Sequence, residues 1–257
     1  MTGGPDSALV GHVHPSPNFG PRRSSRPPDI LLLHYTGVDS AAKAIDWLSR
    51  PESKVSAHYV LDETGFLTQL VAEEMRAWHA GVAAWAGETD INSLSIGIEI
   101  QNAGHEYGSP EFPERQLLAL EALCRDIVAR HSIRPERVLA HSDVAPTRKI
   151  DPGEKFPWAR LAAAGIGHWV VPEPVDWADP GIARDAVGPL VAAVQTLLAD
   201  YGYGIEATGG FDPKTEFVVK AFQRHFRPER VDGRIDQSTI RTLERLLAAL
   251  PRGAGVA

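Results

Sequence analysis

Four consecutive apolar residues, Ile30-Leu31-Leu32-Leu33, constrain this chain more than any other stretch. Bounded by proline before and glycine after, such a run suits a strand buried on both faces, which needs cover above and below. It ends in His34-Tyr35-Thr36-Gly37, placing a potentially ligating side chain at the end of a central strand. Around it, Ala41 to Leu48 reads as a helix and Val55 to Leu61 as a strand. Asp62-Glu63-Thr64-Gly65 reads as a turn, and Phe66 to Val71 as the returning strand of a hairpin. Ser95 to Ile100 alternates, with Ile96, Ile98 and Ile100 on one face and Ser95, Gly97 and Glu99 on the other. Glu99 therefore points away from the isoleucines. Glu114 to His131 carries a helical stripe of Leu117, Leu120, Cys124, Ile127 and Val128, with Pro113 suited to its first turn. Val138-Leu139-Ala140 is a last short strand. Alternating strands and helices predict an α/β architecture, a central mixed sheet flanked by helices.

A length of 257 residues allows one large domain with a small one beside it. Residues 1–28, rich in Pro, Gly and Ser, read as an extended arm, with His12 and His14 as exposed loop residues. The larger domain is expected over 29–169, closing with a short helix between Phe156 and His168. A proline-rich linker follows over 170–188. The remainder, 189–257, contains an echo: Gly209-Gly210-Phe211-Asp212-Pro213-Lys214-Thr215 matches Gly233-Arg234-Ile235-Asp236-Gln237-Ser238-Thr239. Each aspartate can cap a helix and each threonine lies in its first turn. Helices at about 189–200, 213–225 and 237–249 would give a small three-helix domain, with Phe217, Phe222, Phe226, Leu243 and Leu246 as candidate core. So small a domain without disulfides is marginal alone, so it should lean on the larger one.

Several classes are disfavoured. The formal net charge of −7 argues against nucleic acid as a partner. The single cysteine, Cys124, forms no internal disulfide and reads as a buried small hydrophobe. No stretch approaches a membrane span. The N-terminus lacks a basic start followed by an apolar run, so a cytoplasmic protein is expected, with the periplasm as the alternative had an export signal been removed.

The stretch His141 to Asp151, HSDVAPTRKID, offers two metal ligands and, in Lys149, a cation from one folded-back loop. Zinc accepts imidazole and carboxylate, and catalytic zinc usually keeps three protein ligands with one open position. His34 fits best as the third. Glu99 could then serve as general base, and Lys149 could stabilise an oxyanion, together describing amide hydrolysis. Spacing alone leaves a second reading open, that these are ordinary buried or surface polar residues without metal. His58, in mid-strand, reads as a satisfied sheet histidine, and His105, His131, His168 and His225 as surface or packing residues.

LLLHYTG, VSAHYVL, WHAG, NSLSIGIEI and HSDVAPTRKIDPG occur here in the order found in zinc N-acetylmuramoyl-L-alanine amidases of type 2, which share the peptidoglycan-recognition-protein fold. The chain resembles most the branch containing AmpD and AmiD. The resemblance implies zinc as cofactor, held by His34, His141 and Asp151, with Glu99 and Lys149 catalytic. It implies a muropeptide or peptidoglycan fragment as partner, cut between N-acetylmuramic acid, or its 1,6-anhydro form, and L-alanine. His79 and Asn92 are candidates for contact with the stem peptide, and Arg148 for a substrate carboxylate. The C-terminal part resembles a peptidoglycan-binding domain through its echo and the phrase AFQRHF. AmiD-type proteins with both parts are exported and lipid-anchored, whereas this N-terminus suggests a cytoplasmic role in recycling. The competing class is a binding protein of the same fold. Such proteins typically lack a zinc ligand, and all three are present here.

Overall fold

The structure, a computed structural model, describes residues 4–251; residues 1–3 of the expected arm and 252–257 of the expected C-terminal domain lie outside it. The arm contributes two short strands, β1 (His12–Val13) and β2 (Phe19–Pro21). The apolar run becomes β3 (Ile30–Tyr35), followed by α1 (Ala41–Leu48) and the hairpin strands β4 (Tyr59–Leu61) and β5 (Leu67–Gln69). Then come β6 (Met75–Ala77), the single turn α2 (Ile91–Leu94), β7 (Ser95–Ile100), α3 (Glu114–His131) and β8 (Val138–Ala140). The one-turn α4 (His141–Val144), α5 (Trp158–Ala163) and three longer helices follow: α6 (Pro189–Tyr201), α7 (Pro213–Phe226) and α8 (Gln237–Ala248).

The main sheet has the order β1-β5-β4-β7-β3-β8. It is mixed as expected: β3 runs parallel to β7 and β8, and only the β4–β5 hairpin pair is antiparallel. A second small sheet pairs β2 with β6. Ile30 to Leu33 are fully buried, as a strand covered on both sides requires. Leu31, Leu33, Ile96, Ile98 and Ile100 pack under α3, against Leu117, Leu120, Leu123, Cys124 and Ile127. Fully burying each such side chain is worth about 2 kcal/mol. On the opposite face, Ile30, Leu32 and Leu139 join a core that continues into the C-terminal helices through Val194, Leu198, Phe222, Phe226, Leu243 and Leu246. The small helical unit thus shares one apolar core with the sheet.

The echo has a local cause. Asp212 and Asp236 cap α7 and α8, accepting from the Thr215 and Thr239 amides at 2.7 Å each. The glycines that open the two motifs, Gly209 and Gly233, sit at φ 76° and 77°, where a side chain would strain the turn.

Some expectations need correction. Of the strand expected from Val55 to Leu61, only Tyr59–Leu61 forms. Upstream, the Ser56 amide donates to Trp78 O at 3.0 Å and its hydroxyl to Asn18 O at 2.6 Å, drawing the backbone toward neighbouring loops. The return strand likewise shortens from 66–71 to Leu67–Gln69. Pro113 stands just before the first turn of α3 rather than within it. Phe217 is 38% exposed and not core. Five residues from Phe222 is 140° around the helix, away from the buried stripe.

Candidate active site

Three parallel strands, β7, β3 and β8, bring the site together at their carboxyl ends, the usual place for a crevice in such sheets. His34 is the fifth residue of β3, and Glu99 lies beside it in register on β7. His141 follows β8 directly as the first residue of α4. The loop after α4 folds back, with the Ser142 amide bound to Asp151 O at 3.0 Å, and so delivers Asp151 to the same point.

His34 Nδ1, His141 Nδ1 and Asp151 Oδ2 form a triangle with edges of 2.9, 3.1 and 3.2 Å, and all three residues are buried. The surroundings fix where the protons are. His141 Nε2 lies 3.1 Å from Ala80 O, which can only accept, so Nε2 carries the proton and Nδ1 presents a lone pair. Ser95 donates its hydroxyl proton to Ile91 O at 2.6 Å, so His79 Nε2 must donate to Ser95 Oγ at 3.3 Å. His79 Nδ1 then accepts from His34 Nε2 at 3.0 Å, and His34 Nδ1 is also a bare lone pair. Two imidazole lone pairs and a carboxylate oxygen converge with no proton left to bind them together. That arrangement suits a cation, and two nitrogens and one oxygen at these separations suit a metal about 2.0–2.2 Å from each. His34, His141 and Asp151 could therefore hold a metal ion.

The electrostatics agree. Burial, reinforced by the neighbouring His141, lowers the His34 pKa to about 4. Burial alone would raise the Asp151 carboxyl, but positive charge on the adjoining imidazoles, His141 first and then His34, would hold it far below the ordinary carboxylate range, so the carboxylate too is matched to a cation. Burial acts the other way on Glu99: with the Asp151 charge it lifts the carboxyl from 4.5 to about 8, against the pull of Lys149. Glu99 Oε2 is shielded from solvent without a hydrogen-bond partner. Glu99 and Lys149 both line a cavity of about 510 Å³ shared with the three converging residues. Its walls include the apolar Trp47, Trp78 and Ile150 and the polar Tyr35 and His105.

Of the three expected substrate contacts, His79 and Arg148 line the cavity and Asn92 does not. His79 is 8% exposed at the cavity wall and both its ring nitrogens are engaged within the protein, so it steadies His34. Gly97 makes that seat possible, because a Cβ there would come within 2.5 Å of the His79 ring. Asn92 does not line the cavity. Its Oδ1 accepts from the His79 and Ala80 amides at 3.1 and 2.8 Å, holding the loop that fixes both imidazoles. Arg148 reaches the rim, with its guanidinium donating to Ala80 O at 3.0 Å and to Val82 O. His58 is satisfied as expected, its Nδ1 accepting from the Gly97 amide at 2.9 Å, but it stands just before β4 rather than in mid-strand. Tyr35, Trp47 and His105 were missed as cavity residues. Only the adjacency of Tyr35 to His34 could have hinted at one of them.

Comparison with known proteins bears on this geometry. The sequence pattern of the N-acetylmuramoyl-L-alanine amidase family matches residues 24–154, and that of a peptidoglycan binding domain matches 187–243. Over 233 residues the chain is 39% identical to N-acetylmuramoyl-L-alanine amidase AmiD of Escherichia coli, covering 85% of this chain and 82% of that protein. It is 31% identical over 167 residues to 1,6-anhydro-N-acetylmuramyl-L-alanine amidase AmpD of Haemophilus influenzae, covering 58% of this chain and 89% of that one. The solved complex of E. coli AmiD with anhydro-N-acetylmuramic acid-L-Ala-D-γ-Glu-L-Lys superimposes with a TM-score of 0.74 at 36% identity, covering 88% of this chain and 91% of that one.

Proposed function

The chain belongs to the N-acetylmuramoyl-L-alanine amidase family, and we propose that it cuts its substrate with a zinc ion held by His34, His141 and Asp151, Glu99 as general base and Lys149 as oxyanion stabiliser. The reaction is hydrolysis of the amide between N-acetylmuramic acid, or its 1,6-anhydro form, and the L-alanine that begins the stem peptide. The observation that carries the mechanism is the convergence of two bare imidazole lone pairs and a carboxylate oxygen within 3.2 Å of one another. Bound there, zinc would polarise the scissile carbonyl and acidify a water.

The chain's own residues supply the rest. Burial lifts the Glu99 carboxyl to about 8 when no cation lies beside it, and a cation held by the three neighbouring ligands would favour the carboxylate, the form that accepts a proton. It takes the proton of the attacking water and delivers it to the departing alanine nitrogen. Lys149, with no ion-pair partner among the described residues, is free to face the oxygen that gains charge. The Asn92-held loop and His79 keep both imidazoles in the tautomer the site needs. The domain limits 29–169 and 189–257, the linker 170–188 and the arm 1–28 remain our division of the chain.

No helix among the described residues is long and apolar enough to cross a membrane. Separately, on the likeness to AmpD, we propose a cytoplasmic enzyme that trims anhydro-muropeptides, with the periplasm as the alternative; recovery in the periplasmic fraction of its native host would decide for the alternative. The mechanism is tested by release of stem peptide from a purified anhydro-muropeptide. Chelation should abolish release and added zinc should restore it, and undiminished release from metal-free protein would overturn the zinc mechanism.

A further inference from the structure

Each segment that carries a converging ligand is linked to the C-terminal helices, that of His141 directly and those of Asp151 and His34 through Glu154 and His105. Asp143 stands two residues after His141 and is fully buried. Its carboxylate accepts from the Ala140 amide at 2.8 Å, and its other two donors come from far along the chain. The Tyr203 hydroxyl donates to Oδ1 and His225 Nδ1 to Oδ2, both at 2.7 Å. The His225 ring cannot swing away, because it lies flat between Trp158 and Phe226, with centroids 3.7 and 3.8 Å apart and planes within 22° and 5°. The preceding residue of α7, Arg224, stands 3.9 Å from Glu154 Oε2, three residues after Asp151. Glu154 in turn accepts from His105 Nε2 at 3.0 Å, and His105 Nδ1 accepts from the hydroxyl of Tyr35, which follows His34, at 3.1 Å.

We propose that the C-terminal helices are part of the catalytic centre, with Tyr203, Arg224 and His225 as positioning residues for the segments bearing His141, Asp151 and His34. The physical reason lies in the length of α4. Four residues make one turn, and one turn does not hold itself in water. What fixes His141 is therefore the anchoring of the same turn through Asp143, and two of that carboxylate's three donors belong to the helical unit. A buried carboxylate deprived of those donors would seek others, and the turn would follow it. Because the ligand atoms are set within 3.2 Å of each other, a small shift of His141 spoils the set for a metal. A unit that resembles a polymer-binding module thus also acts as a buttress.

This inference rests on the zinc reading of the site, and its test separates the two. Zinc affinity of the full chain is measured by competition with a chromophoric chelator, alongside kcat and KM at saturating zinc. His225→Phe keeps a stacked ring and loses the donor, so its zinc affinity should fall about tenfold or more, with kcat lowered more than KM. His225→Asn restores a donor near the Nδ1 position and should recover most of that affinity despite losing the stack. Tyr203→Phe removes one hydroxyl from an otherwise unchanged ring, and it carries the test if His225→Phe does not fold; a several-fold loss of affinity is expected. Wild-type zinc affinity in both His225→Phe and Tyr203→Phe would overturn the proposal, as would a loss in His225→Asn equal to that in His225→Phe. Failure of the unsubstituted protein to bind zinc would instead remove the reading beneath it.

Discussion

Replacing Glu99 by Gln should stabilise the metal-free protein at alkaline pH while destroying its activity. The folded-state carboxyl is raised from 4.5 to about 8, first by burial and then by the Asp151 charge. Between those two values the native state holds a proton that the unfolded chain has released. Stability of the unsubstituted protein must therefore fall as pH rises through that window, and glutamine, which does not titrate, lacks the slope. At about 1.4 kcal/mol per pH unit the whole span corresponds to roughly 5 kcal/mol, and cavity water screening one side of the carboxyl reduces this to about 2–3 kcal/mol. For a chain of this size that is a melting-temperature gain of about 5–10 °C at pH 8, shrinking toward zero near pH 4.5. The assay is thermal unfolding of both proteins in excess chelator at a series of pH values, with stem-peptide release measured on the zinc-loaded forms. A difference in stability that stays constant from pH 5 to 8 would refute the claim that Glu99 is held protonated by its surroundings. Normal turnover by the variant would refute its role as base.

Two further substitutions address separate parts of the site. Gly97→Ala places a methyl group 2.5 Å from the His79 ring, so His34 should lose its support and zinc affinity should drop at least about tenfold by competition titration. Unchanged affinity would mean that His79 is not what holds His34. Lys149→Met should leave zinc binding intact while lowering kcat by about a hundredfold or more, as loss of an oxyanion-stabilising group does. A change confined to KM would assign Lys149 to binding instead.

The sequence made the central strands and the ligand set legible for different reasons. β3, β7 and β8 are read almost to the residue because unbroken or strictly alternating apolar residues leave no other period available. His34 and His141 could be singled out because each stands at the carboxyl end of such a strand. The edge strands β1, β2 and β6 are two or three residues long and carry no pattern, so the arm and the loop before His79 were read as irregular. His79, Asn92 and Arg148 were read as facing substrate because they stand in loops near the motifs. His79 and Arg148 do line the cavity, Asn92 does not, and the groups of all three also have partners that only folding reveals: a serine on β7, two loop amides and two carbonyls. The pairing of Asp143 with His225 spans 82 positions and joins two parts of the chain, so no local pattern announces it. Phe217 was misplaced because a phenylalanine in an amphipathic helix is read as core unless its angle to the buried stripe is worked out.

The most direct measurement is anomalous X-ray scattering at the zinc edge from crystals of the full chain grown with one equivalent of zinc. One strong peak is expected, about 2.0–2.2 Å from His34 Nδ1, His141 Nδ1 and Asp151 Oδ2 together. A peak elsewhere, or none in crystals of protein that still releases stem peptide, would contradict the assignment of these three residues as the metal site.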